Sequence, residues 1–107
     1  MNPVYDHIQH TKYLLLQLLE SGFLSGRGFD EELRHCAQTA NELGLATGSS
    51  LITKLSHTLA ELRAGQGSFD QAALIYSAIT AYLDFVTNKL IIESIGENHG
   101  TAITTNQ

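Results

Sequence analysis

Basic residues, cysteine and strand-forming runs are all scarce in this chain, and each scarcity removes a class of function. Six Lys and Arg stand against eleven Asp and Glu, for a formal net charge of −5. The six (Lys12, Arg27, Arg34, Lys54, Arg63 and Lys89) are scattered, so no basic footprint is offered to nucleic acid or an anionic membrane. One cysteine, Cys36, excludes an internal disulfide and suits a reducing compartment. No apolar run is long enough to span a bilayer. Asn2, Pro3 and Asp6 stand where a secretory signal would carry a basic segment, so a cytoplasmic setting is expected. Strand patterning is confined to Thr101-Ala102-Ile103-Thr104, too short for a sheet. Charge of either sign is also sparse: 16% of the 107 residues are charged and 43% are hydrophobic. That suits one domain with apolar surface to spare, and points to a partner that covers it.

What the chain does have is helical punctuation. Asn2-Pro3 reads as an N-cap and first-turn pair, and Gly22 as the stop, giving a helix over 3–21. Its apolar residues Val4, Ile8, Leu15, Leu18 and Leu19 share a face that Leu14 and Leu16 widen to about half the circumference, enough for two neighbours. Residues 22–29 form a glycine-punctuated connection with Phe23 and Leu24 folded onto the core; its Gly-x-Gly lacks the strand and remaining fingerprint of a phosphate loop. A second helix is expected over 29–43, with Asp30, Glu31 and Glu32 at its positive end. Phe29, Leu33, Cys36, Ala40 and Leu43 form its seam. Gly44 stops it and Leu45 folds back on Ala40 in a Schellman cap. After an Ala-Thr-Gly linker, Ser49 or Ser50 caps a third helix over 50–64, buried through Leu51, Ile52, Leu55, Leu59 and Leu62.

The longest segment, Ser68 to Ile95, opens with a capping box (Ser68, Gln71) and meets no Pro or Gly until Gly96. Wound at about 100° per residue it carries two apolar stripes. One holds Ala72, Ile75, Ile79, Tyr82, Leu83, Val86 and Leu90; nearly opposite lie Leu74, Ala78, Ala81, Phe85 and Ile92. A helix packed on one side needs one stripe. Residues 96–107 lack helical periodicity and are expected to be a mobile, disordered tail.

Candidate chemistry is thin. His57 is expected to face solvent opposite the third helix's leucine stripe, with Lys54 and Glu61 one turn away. Leu55-Ser56-His57-Thr58-Leu59 resembles the phosphorylation segment of histidine phosphotransfer domains, which implies a phosphoacceptor at His57. Ala60 and Glu61 depart from the Lys and Gly that such domains carry there, and a carboxylate one turn away would repel a phosphoryl group. The plainer reading is a solvated surface residue. His7 and His10 diverge by about 60° around their helix, and Cys36 sits on an apolar seam, so no metal or other cofactor is expected. The carboxylates are dispersed, and no nucleophile elbow or phosphate loop is present, so no enzyme activity is expected. Asp84 reads as a solvated flank residue or a polar group fixing an interface, and Tyr76 and Tyr82 as rim residues.

Between Leu33 and Phe85, the strings Ala40-Asn41-Glu42-Leu43-Gly44-Leu45, Leu51-Ile52, Leu55, Leu59-Ala60-Glu61-Leu62 and Tyr82-Leu83 resemble the helical region that follows the zinc finger in bacterial SWIM-domain proteins. The resemblance covers about half the chain, and the zinc-binding Cys/His set is absent, so no metal site carries over. It implies a helical module accompanying larger assemblies, with no catalytic residues.

The expectation is an all-α, up-and-down four-helix bundle over 1–95 with a long C-terminal helix and a flexible tail. Its function is expected to be protein–protein interaction, as a homodimer formed through Leu74, Ala78, Ala81, Phe85 and Ile92 together with Leu14 and Leu16 of the first helix.

Overall fold

The computed structural model describes residues 2–24 and 26–106, and for Arg27 and 96–106 the backbone alone. Four helices follow one another: α1 (Pro3–Glu20), α2 (Arg27–Glu42), α3 (Ala46–Arg63) and α4 (Phe69–Asn106). Sequence neighbours pack as spatial neighbours and α4 closes back on α1, an all-α up-and-down bundle. No strand occurs among the described residues.

The helix ends follow from local chemistry. The Asn2 side chain accepts from the backbone N–H of Val4 at 2.9 Å and of Tyr5 at 3.3 Å, satisfying two orphan donors of α1. All three loops that follow a helix share one device. Phe23 N–H reaches Leu18 O at 3.0 Å, Leu45 N–H reaches Ala40 O at 2.8 Å, and Gln66 N–H reaches Glu61 O at 2.8 Å. Each is the long bond of a Schellman cap, with Gly22, Gly44 and Gly65 in the left-handed conformation at its centre. Phe23 is itself left-handed at φ 69°, a conformation that costs a residue with a Cβ about 1–2 kcal/mol. Its ring stacks on Tyr76 with centroids 5.5 Å apart, which offsets part of that strain and ties the loop to α4. Leu24, expected on the core, is instead exposed. At the start of α4 the Ser68 hydroxyl accepts from Gln71 N–H at 3.1 Å.

Two helix starts differ from expectation. α2 begins at Arg27, two residues early, behind Gly26 as an N-cap with no side-chain hydrogen bond. α3 begins at Ala46, so the Ala-Thr-Gly stretch is its first turn, and Ser49 and Ser50 lie inside the helix. Gly48 is there for packing: a Cβ at that position would stand 2.8 Å from Cε2 of Tyr82. A hydrogen in place of a side chain lets the α4 ring lie directly on the α3 backbone.

The core is built from Ile8, Leu14, Leu15 and Leu18 of α1, Leu33, Cys36 and Ala37 of α2, Ile52, Leu55 and Leu59 of α3, and Ile79, Leu83 and Val86 of α4. The expected seam of α2 and the broad stripes of α3 and α4 all face it. In α1 the inward arc is rotated from the expected one. His7, Thr11, Leu14 and Leu18 recur at 4-3-4 spacing and are buried, so Leu14 is a core residue with no accessible surface and Leu19 is exposed. The assignment of Leu14 to an interaction face is therefore corrected: α2 approaches α1 from the side on which Leu14 lies, and Cys36 meets Thr11 there.

The ends of α2 and α3 are joined by an ion pair between Asp30 and Arg63, both partly shielded; a second, Glu31–Arg34, lies on the surface of α2. α4 has 38 residues against 16 to 18 in each of the others. At 1.5 Å per residue it is about twice as long as the bundle that shelters it. The helix passes through Gly96 without the stop expected there. The mobility expected of 96–107 concerns residues whose side chains lie outside the described ones.

Candidate functional site: the outward face of the long helix

Two neighbours, α1 and α3, cover one side of α4. On its far side Leu74 is 72% exposed, Phe85 65% and Ile92 68%, while Ala78 and Ala81 are exposed between them. The spacing adds two residues that sequence reading did not single out. Leu74, Ala78, Ala81, Phe85, Asn88, Ile92 and Ile95 recur at 4-3-4-3-4-3, an uninterrupted heptad seam about 30 Å long. Asn88 and Ile95 are exposed like the rest. The heptad count itself was the available signal for both.

No charged side chain lies on the seam. Its flanks carry Asp84 on the side of α1 and Lys89 on the opposite side, and neither makes an ion pair among the described residues. Leu16, 54% exposed on α1, borders a shallow hollow with Lys12, Tyr76, Thr80 and Asp84. Of the seven interaction residues expected from the sequence, six are on the surface. Five share one stripe of α4, Leu16 lies beside it, and Leu14 is inside.

A seam of this kind has a definite physical capacity. Leaving apolar area in water costs about 25 cal/mol per Å², and heptad spacing keeps knobs in line for a second helix over several turns. The two alanines let another backbone approach closely in the upper half. Phe85, Ile92 and Ile95 supply volume in the lower half.

His57 is exposed on α3, as expected, at a ridge between two hollows. One includes Asp30, Arg34 and Arg63; the other includes Lys54, Glu61 and Gln71. Both arginines face carboxylates, Arg34 with Glu31 and Arg63 with Asp30, so the cationic character beside His57 is partly neutralised.

Two buried titratable groups lie in the interior, away from both surfaces. Thr11 Oγ1 donates to the His7 carbonyl at 2.8 Å and lies 3.1 Å from Cys36 Sγ. Burial holds the His7 imidazole below its ordinary pKa, with a smaller contribution from His10. Burial likewise pushes the Cys36 thiol up, against the opposing effect of its hydrogen bond with Thr11, so it packs as a small apolar group. Tyr76 donates its hydroxyl to the Leu15 carbonyl at 3.2 Å, and its pKa is raised by burial, as suits a rim residue.

Among the described residues no group of three His, Cys, Asp or Glu is placed to hold a metal ion, and no helix is long and apolar enough to cross a membrane. No family model, curated protein or solved structure matches the chain.

Proposed function

We propose that the protein is a small cytoplasmic, non-enzymatic interaction module that associates with itself through the outward seam of α4. The observation that carries this reading is the exposure of Leu74, Phe85 and Ile92 on one uncharged stripe of a helix whose opposite face already fills the core. Contiguous exposed apolar surface of this kind marks association sites, and a two-fold dimer is the simplest closed arrangement that hides it. The resemblance of the Leu33–Phe85 strings to a helical region accompanying larger assemblies fits the same role.

Light scattering on the full chain tests it. The expected mass is twice that of the monomer, moving to the monomer in Phe85→Glu with helical content unchanged. A monomer at the highest soluble concentration overturns the reading.

A second reading, phosphoryl acceptance at His57, rests on that residue's exposure on α3. It requires acid-labile phosphate after exposure to a small phosphodonor, lost in His57→Ala.

A further inference from the structure

We propose that the occupant of the seam is a second copy of this chain lying parallel and in register, with Asn88 facing Asn88 across the dimer axis and Asp84 pairing with Lys89 of the second copy. This rests on the self-association just proposed and specifies its geometry. The seam assigns every position. Ala78, Phe85 and Ile92 repeat in one heptad site and Leu74, Ala81, Asn88 and Ile95 in the other. Asp84 precedes the first kind of site and Lys89 follows the second, so they occupy opposite flanks of the stripe, five residues apart. Between parallel helices the residue that precedes the first kind of site faces, on the opposite flank of its partner, the residue five positions further on.

A parallel pair therefore sets Asp84 against Lys89 and Lys89 against Asp84, two complementary contacts from one sequence feature. Turning the second copy end for end brings like flank to like flank. It would place Asp84 near Asp84 across the axis and leave Lys89 without an opposite charge. Charge complementarity thus favours the second copy over an unrelated helix, and one orientation over the other. Asn88 reinforces the choice. A polar amide within an apolar seam is satisfied by its own counterpart only when the two helices are in register, and such residues fix orientation at some loss of affinity.

Engineered cysteines read the orientation directly. Cys36 is buried at 1% exposure, so the unsubstituted chain serves as the control for background oxidation. Disulfide formation requires Cα atoms within about 7 Å. In the parallel arrangement Leu74→Cys and Asn88→Cys each cross-link to themselves. An antiparallel pair centred between Ala81 and Phe85 separates the two residues at 88 by about 15 Å along the axis. It cross-links instead in a mixture of Leu74→Cys with Ile92→Cys.

Charge exchange supplies an independent readout. Asp84→Lys and Lys89→Asp each raise the dimer dissociation constant about tenfold, the double exchange returns it toward the original, and the two single variants mixed together pair preferentially. Self-cross-linking at 74 and 88 with recovery in the double exchange is the expected result. A dimeric mass with cross-linking only between 74 and 92, or with no cross-link at either pair, overturns the parallel seam and leaves self-association standing. A monomeric mass for the unsubstituted chain removes both.

Discussion

The two faces of α4 are made of the same kinds of residue and have opposite fates. Ile79, Leu83 and Val86 are enclosed by α1 and α3, whereas Leu74, Phe85 and Ile92 of the same helix face outward. Side-chain hydrophobicity does not distinguish them. Position around the helix relative to the neighbours does. Two helices of 18 residues each, α1 and α3, cover one side of α4 and no more. The inner face holds the monomer together and the outer face is left for something else to cover.

That contrast is sharpest under truncation. Ile79→Ala should destabilise the fold by about 2–5 kcal/mol in denaturant titration, because it opens a cavity in a closed core. Phe85→Ala, which removes a larger side chain, should change monomer stability by no more than about 0.5 kcal/mol while weakening association. If the two variants lost equal stability under dilute conditions, the distinction between the faces would be wrong.

The next effect tests how closely the inner face is fitted. Gly48→Ala adds one methyl where Tyr82 already lies in contact, and should cost about 1–3 kcal/mol despite alanine's better helix propensity. Adding Tyr82→Leu should recover part of that loss, a coupling that thermal unfolding of the two singles and the double would measure. Gly44→Ala, at a left-handed cap remote from α4, should cost about 1 kcal/mol and show no coupling to Tyr82.

A last prediction concerns pH. The His7 imidazole has a folded-state pKa below its ordinary 6.5, so the unfolded chain binds a proton more readily than the folded one. Its effect on stability is absent well above pH 6.5, and stability declines as the pH falls below that value. Melting temperatures between pH 7.5 and about 5 should show this decline, and His7→Leu should flatten it. Because His7 lies on the core side of α1, association through α4 should not share the same titration.

Much of this architecture was legible because it is local. The Gly44–Leu45 cap, the Asn2 cap and the Ser68 start each depend on residues within one or two turns, and short-range rules fixed them before any packing was known. The period of α4 was legible for the same reason, and with it the stripe from Leu74 to Ile92. What escaped depends on neighbours. Gly48 reads as punctuation until Tyr82, 34 residues away, is seen against it. Leu14 and Leu19 both belong to the apolar half of α1, and only the approach of α2 decides which of them is covered. Asp30 has the right charge for a helix start, yet its partner Arg63 lies at the far end of the next helix. His7 gave no sign of burial, since its pattern on α1 is legible only once Thr11 and Cys36 are known to touch. Asn88 was hidden by its own polarity, which removed it from a stripe defined by apolar letters.

The repeated glycine cap has a kinetic consequence. Because Gly22, Gly44 and Gly65 each end a helix abruptly and the next begins within a few residues, every helix docks on the one made just before it, and among the described residues only the α1–α4 contact joins helices that are not consecutive. A topology so rich in nearby contacts should reach its native state in microseconds to milliseconds, with the last step being the swing of the long arm onto α1.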